Sequence, residues 1–126
     1  MNQHVINWFE IPTSNFERAK KFYSSILGRE LSVMEMGGPV RLAMLGQSGD
    51  KTSVSGALIT GNGSVPSDKG TIVFLACGDN LSTILDKVLE AGGKIVSPKT
   101  AIPGGYGHYA KFSDTEGNHV ALHSPN

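Results

Sequence analysis

The sequence predicts a single α+β domain made of two βαβββ repeats, and three observations carry that prediction. The first is internal similarity, which is best sought before any local reading. VINWFEIPTSNFERAKKFYSSILGRELS lies over GTIVFLACGDNLSTILDKVLEAGGKIVS at a constant shift of 65 positions. Ile6 falls on Thr71, Phe9 on Phe74, Asn15 on Asn80, Phe16 on Leu81, Ala19 on Ile84 and Gly28 on Gly93, and the same shift places Gly56 on Ala121. The second is that each half holds one amphipathic helix pattern between apolar runs of strand length. The third is size: 126 residues, 39% of them hydrophobic, can bury one core without disulfide staples.

Each half opens on a strand candidate, VINWFEI and TIVFLAC, ended by the turn-formers PTSN and GDN. A helix follows. Asn15 is the expected N-cap, Glu17 sits where the positive end of the helix dipole favours it, and Phe16, Ala19, Phe22, Tyr23 and Ile26 form one apolar stripe. In the second half Asp79 or Asn80 caps, Leu81, Ile84, Leu85, Val88 and Leu89 repeat the stripe, and Gly92-Gly93 stops it as a left-handed cap would. Three shorter strands follow each helix: RELSVME, VRLAML and TSVSGALIT, then KIVSPKTA, HYAKFS and HVALHS. Repeat one spans about 3–61 and repeat two about 70–126, joined by a Gly/Ser/Pro-rich linker at about 60–69.

Charge and composition exclude several classes of function. Lys plus Arg and Asp plus Glu are equal at 11 each, leaving no basic stripe for phosphates, so nucleic acid is not an expected partner. Apolar runs stop far short of the ~20 residues that cross a bilayer, and MNQHVINWFEIP lacks a basic region followed by an apolar one. The expectation is a cytoplasmic protein without a membrane partner. The single cysteine, Cys77, has no disulfide mate and no basic neighbour in sequence, and reads as a buried small hydrophobe.

The helix pattern F-E-R-A-K-K-F-Y-x-x-x-L-G and the closing hairpin D-T-E-G-N-x-V-x-L, set on a duplicated βαβββ unit, resemble the vicinal oxygen chelate superfamily over essentially the whole chain. That superfamily includes glyoxalase I, extradiol dioxygenases and the bleomycin and fosfomycin resistance proteins. The resemblance implies a glyoxalase/bleomycin-resistance-type open barrel, each half curling its sheet around a cavity with the helices outside. It also implies a homodimer, since members commonly pair and open sheets have edges to cover. Strand alternation then sorts the side chains. Ile6, Trp8 and Glu10 should face the cavity, with Val54, Gly56 and Leu58 in the first half. Thr71, Val73 and Leu75, with Tyr109, Lys111, His119, Ala121 and His123, should face it in the second. Ala110, Phe112, Val120 and Leu122 should pack against a helix.

In metal-dependent members the ion is held from the first and last strands of each half. Carried onto this sequence, those positions fall at Ile6, Gly56, Thr71 and Ala121, none of them an imidazole or carboxylate. No metal or other cofactor is therefore expected. His119 and His123, four apart on one strand, stand about 13 Å apart at ~3.3 Å per residue, too far for one ion. Their remaining readings are ordinary cavity or rim residues, or ligand recognition through one donor and one acceptor.

Candidate binding residues are Trp8, Thr71, Tyr106, His108, Tyr109 and Lys111. Trp8 either fills core volume or walls a small-molecule site. Glu10 facing a cavity needs a partner, for which Lys111 is the sequence-plausible choice. Glu10, His119 and His123 are the candidate catalytic acid–base groups. The loop AIPGGYGHYAKF reads either as a lid or as a strained turn into an edge strand. The leading expectation is a metal-independent protein that binds a small organic molecule, similar to the bleomycin-resistance branch. The alternatives are a glyoxalase-type lyase or isomerase using Glu10 and histidine, with or without a divalent metal, and a degenerate structural or regulatory module.

Overall fold

The computed structural model of the chain describes residues 4–46 and 54–126. The elements run β1 (Trp8–Pro12), α1 (Phe16–Leu27), β2 (Val33–Glu35), β3 (Arg41–Met44), β4 (Ser55–Thr60), β5 (Phe74–Ala76), α2 (Ser82–Leu85), α3 (Val88–Ala91), β6 (Lys94–Ala101), β7 (His108–Ser113) and β8 (His119–Ser124). They form two four-stranded sheets, ordered β1-β4-β3-β2 and β5-β8-β7-β6, so the predicted βαβββ plan appears twice in one α+β domain. The sheets share no hydrogen-bonded edge and no closed barrel forms. The first two residues of the predicted strand TSVSGALIT, Thr52 and Ser53, lie outside the described residues.

Helix α1 is the continuous one. Asn15 Oδ1 accepts the Arg18 N–H at 3.0 Å, and Gly28, at φ 72°, donates its N–H to Ser24 O, a left-handed end that favours glycine. All five residues of its predicted stripe are buried. They enter one core fed by both repeats: Ile11, Ala43 and Leu58 on one side, Ala110, Phe112, Val120 and Leu122 on the other. Phe22 packs edge-on to Tyr23 at 5.0 Å and tilted to Phe112 at 5.8 Å.

The second helix departs from prediction. Neither Asp79 nor Asn80 is the N-cap, which is Leu81 without a side-chain cap bond; Asn80 instead accepts the Ser82 N–H at 2.9 Å in a turn just ahead of the helix. The helix then breaks into α2 and α3, because at Lys87 the backbone bonds Ile84 O, three residues back, before resuming with Ala91 to Lys87. That break advances the stripe's phase. Leu81 and Val88 stay buried while Leu89, expected in the stripe, turns out to 66% exposure. Gly92 carries the left-handed φ of 109°, whereas Gly93 is a close approach: a Cβ there would lie 2.8 Å from the Phe22 ring.

Strand pairing corrects half of the expected facing. In repeat one Phe9 pairs with Gly56 and Ile11 with Leu58, and Ile11 and Leu58 are core residues. Trp8 and Glu10 stand on the opposite, open face, beside Ser55 and Ala57. In repeat two Leu75 pairs with Leu122 in the core, and Phe74 pairs with Ala121 on the open face. Gly56 and Leu58 therefore face the core rather than the cavity, whereas Leu75 both packs against the core and lines the cleft beside β5. The constant shift of 65 matches the ladder rungs Phe9–Gly56 and Phe74–Ala121, yet those rungs point to opposite faces. The core rungs Ile11–Leu58 and Leu75–Leu122 are related by 64 rather than 65 positions, so the strand-to-helix link is one residue longer in repeat two, from Leu75 to Leu81 rather than from Ile11 to Phe16, and a one-residue slip inverts every side chain. Val120, Leu122, Ala110 and Phe112 do pack in the core.

A polar clasp ties the repeats together. The Asp114–Asn118 turn of repeat two reaches the N-terminus of α1, where the Glu116 carboxylate, its side chain 0% exposed, accepts from Ser14 N, Asn15 N and the Ser14 hydroxyl. It also holds Arg18 at 2.8 Å. Beside it the buried Tyr23 hydroxyl donates to Asp114 Oδ2 at 2.8 Å, and Asn118 Nδ2 donates to Pro12 O at 2.8 Å. Burial alone would raise the Glu116 pKa, but Arg18, the Asn15 N–H and the Thr115 and Ser14 hydroxyls outweigh it and hold the group at about 2.

Candidate ligand cleft

The free edges of β1 and β5 flank an apolar cleft of about 620 Å³. Trp8 and Ser55 line it from repeat one, Thr71 and Phe74 from repeat two, and Leu27, Arg29 and Leu45 from the end of α1 and the strand beyond it. Trp8 is 40% exposed and Phe74 53%, so both rings keep a face free. A concave, mostly apolar wall with a few polar groups is the usual form of a small-molecule site. Among the described residues lining it, Arg29 is the one ionisable residue. It follows the left-handed Gly28 directly, and its Nη2 donates to Leu45 O, which fixes the guanidinium at the cleft.

The predicted site residues divide into groups. Trp8 and Thr71 meet in the cleft. Glu10 lies on the open face of the first sheet and accepts the Trp8 indole N–H at 3.3 Å. No ion pair joins it to Lys111 among the described residues, nor does a hydrogen bond join it to His119 or His123. Tyr109, Lys111, His119 and His123 stand on the second sheet's open face, where Tyr109 pairs with His123 and Lys111 with Ala121.

The Gly-rich loop is pinned at the end of that sheet. The His123 Nε2–H donates to Tyr106 O at 2.7 Å, and Ile102 N–H donates to Gly107 O at 2.8 Å. Gly107, at φ 89°, packs on Ser124 so closely that no Cβ would fit. Tyr106 is left 72% exposed, and His108 Nδ1 lies 3.4 Å from Pro125 O. Cys77 is partly buried, its thiol donating to Leu75 O, and burial pushes its pKa up.

The four positions carried over for a metal are placed differently from expectation. Ile6 and Thr71 precede β1 and β5, Gly56 faces the core against the Phe9 ring, and only Ala121 lies on an open face. The open-face positions of repeat one are Trp8, Glu10, Ser55 and Ala57, of which Glu10 alone has a side chain able to ligate a metal. Among the described residues no three of His, Cys, Asp and Glu gather closely enough to hold a metal ion.

Several cleft residues escaped the sequence, Arg29 and Phe74 among them. Arg29 had a signal, since it follows the helix-stopping Gly28. Phe74 was masked by its repeat-mate Phe9, which points into the core.

Comparison with known proteins bears on this geometry. The family model described as Glyoxalase/Bleomycin resistance protein/Dioxygenase superfamily matches residues 5–122. Among solved structures, the V278E mutant of glyoxalase I from Zea mays superposes with a TM-score of 0.72 at 25% identity, over 94% of this chain and 45% of that one. The chain thus spans under half the length of the maize enzyme. TnmS3, an antibiotic binding protein from Streptomyces sp. CB03234, gives a TM-score of 0.61 at 25% identity, over 100% of this chain and 99% of that one. A glyoxalase/bleomycin resistance protein from Albidiferax ferrireducens T118 gives 0.72 at 15% identity, over 94% and 97%. No curated protein matches the sequence.

Proposed function

Since the chain belongs to the glyoxalase/bleomycin resistance protein/dioxygenase superfamily, we propose that it captures a small organic molecule, without a metal ion, in the cleft between β1 and β5. The observation that carries this reading is the cleft: about 620 Å³, apolar, and walled by two part-exposed aromatic rings. An aromatic or aliphatic ligand entering it removes apolar surface from water on both sides, at about 25 cal/mol per Å² before the costs of association. Full-length similarity to an antibiotic binding protein supports capture rather than turnover.

The working unit is a homodimer. Both sheets leave large apolar side chains exposed, Trp8, Met34 and Phe74 on their open faces and Met36 beside β2. A second copy covers such surface, and the chain's match to 45% of the maize chain fits a unit used in pairs. Sedimentation showing a monomer at micromolar concentration would overturn this part.

A thermal-shift screen of small metabolites and antibiotics tests capture, because a ligand bound only by the folded state raises its midpoint. A saturable shift is expected, and a panel without one removes the reading. Stoichiometric zinc, nickel or iron in protein purified without chelator would overturn metal independence. The rival, glyoxalase-type acid–base chemistry, draws on the likeness to the maize enzyme and on the Trp8-oriented Glu10 carboxylate. Turnover lost in Glu10→Gln would favour it.

A further inference from the structure

We propose that the molecule held in this cleft is an amphipathic organic anion, a carboxylate or sulfonate on an aromatic or aliphatic body, and that Arg29 is its charge anchor. The inference rests on the small-molecule reading above and names the class of ligand. Its basis is an unmatched charge. Arg18, Lys20, Arg41 and Lys69 each pair with a carboxylate, whereas Arg29 has no acidic partner among the described residues. A guanidinium offers five N–H donors, and here one is spent, on Leu45 O.

The surroundings sharpen the preference. Among the described residues the others lining the cleft are uncharged, and their polar side-chain groups are the Ser55 and Thr71 hydroxyls and the Trp8 indole. A charge beside apolar walls is less screened than one in open water, so an incoming anion gains more from it. The planar guanidinium matches the two oxygens of a carboxylate or sulfonate, and the Leu45 bond already holds it in place, reducing the ordering cost. Trp8 and Phe74, with free ring faces, take the apolar body. A neutral ligand would leave the guanidinium donors beside the cleft unmet, and a cationic one would meet a like charge.

Trp8 is the only tryptophan, so its emission reports on this cleft. Two probes of nearly one shape, 5-phenylvalerate and its neutral amide, are titrated into the protein. In the wild type the carboxylate is expected to bind at least tenfold tighter than the amide. In Arg29→Gln that preference should fall to within twofold; in Arg29→Lys, which keeps the charge, part of it should remain. Far-ultraviolet melting of each variant shows whether the Leu45 contact was needed for folding, and Arg29→Lys carries the comparison if the glutamine variant unfolds. Equal affinity of the two probes in the wild type overturns the anion class and leaves small-molecule capture standing. A tenfold preference that survives in Arg29→Gln overturns Arg29 as the anchor. Binding of neither probe overturns the cleft reading and this proposal with it.

Discussion

The two repeats share one plan and spend it differently. In repeat one the helix is a single twelve-residue element, capped by Asn15 and sealed by Gly28, and its whole apolar stripe is buried. In repeat two the equivalent segment is two four-residue turns, with Leu81 and Val88 as its buried anchors and Leu89 in solvent. The open faces diverge in the opposite sense. The first sheet's carries Leu42, Ala57 and Ile59, all buried, while the second's carries Tyr109, Lys111, His119 and His123. The first repeat thus supplies the scaffold that both halves pack on, and the second supplies the polar surface. A duplicated unit does not divide stability and recognition equally.

The strongest way to break that contrast is to remove the centre of α1. Phe22→Ala, which empties the aromatic contact with Phe112, should cost about 3–5 kcal/mol in urea unfolding. A cost below 1 kcal/mol would mean that α1 is not the shared scaffold.

Next comes the clasp. Glu116→Gln should cost roughly 2 kcal/mol, since it weakens charge-assisted bonds to Arg18 and to the start of α1. The Glu116 carboxyl sits at about 2 in the folded chain against an ordinary 4.5. A depressed folded pKa means its stabilisation is fully present above about 4.5 and is lost as pH falls from there through about 2. Acid titration of the unfolding free energy should therefore fall more steeply in the wild type than in Glu116→Gln across that window, and parallel curves would dismiss the clasp.

Smaller effects separate the two helix starts. Asn15→Ala should cost about 1 kcal/mol, because it uncaps a helix the core depends on. Asn80→Ala, in front of a four-residue turn, should cost less, and the reverse ranking by chemical denaturation would contradict the asymmetry. Smallest of all, Leu89→Ser should change stability by no more than about 0.5 kcal/mol, its side chain being in solvent.

Much of this architecture was legible in the chain. KIVSPKTA, HYAKFS and HVALHS coincide with β6, β7 and β8, and the α1 stripe was complete, because capping, alternation and helical period are local signals. Facing was legible only in part. Trp8 was expected at the cavity and lines the cleft, whereas Gly56 and Leu58 were expected there and face the core, since a period-two pattern carries no defence against a one-residue change in a linking turn. The clasp escaped because Glu116 and Arg18 are 98 positions apart, and no local pattern ties a hairpin turn to a distant helix N-terminus. The cleft escaped in the same way: it lies between two strand edges, and its guanidinium belongs to the helix exit rather than to a strand.

Chemical-shift mapping on the ¹⁵N-labelled protein, titrated with the molecule that gives the largest thermal shift, tests the central claim most directly. The expected result is a saturable set of perturbations on the amides of Trp8, Arg29 and 71–76, along the two edges of the cleft. Perturbations confined to Tyr109, Lys111, His119 and His123, with the cleft amides unmoved, would contradict it and move recognition to the open face of the second sheet.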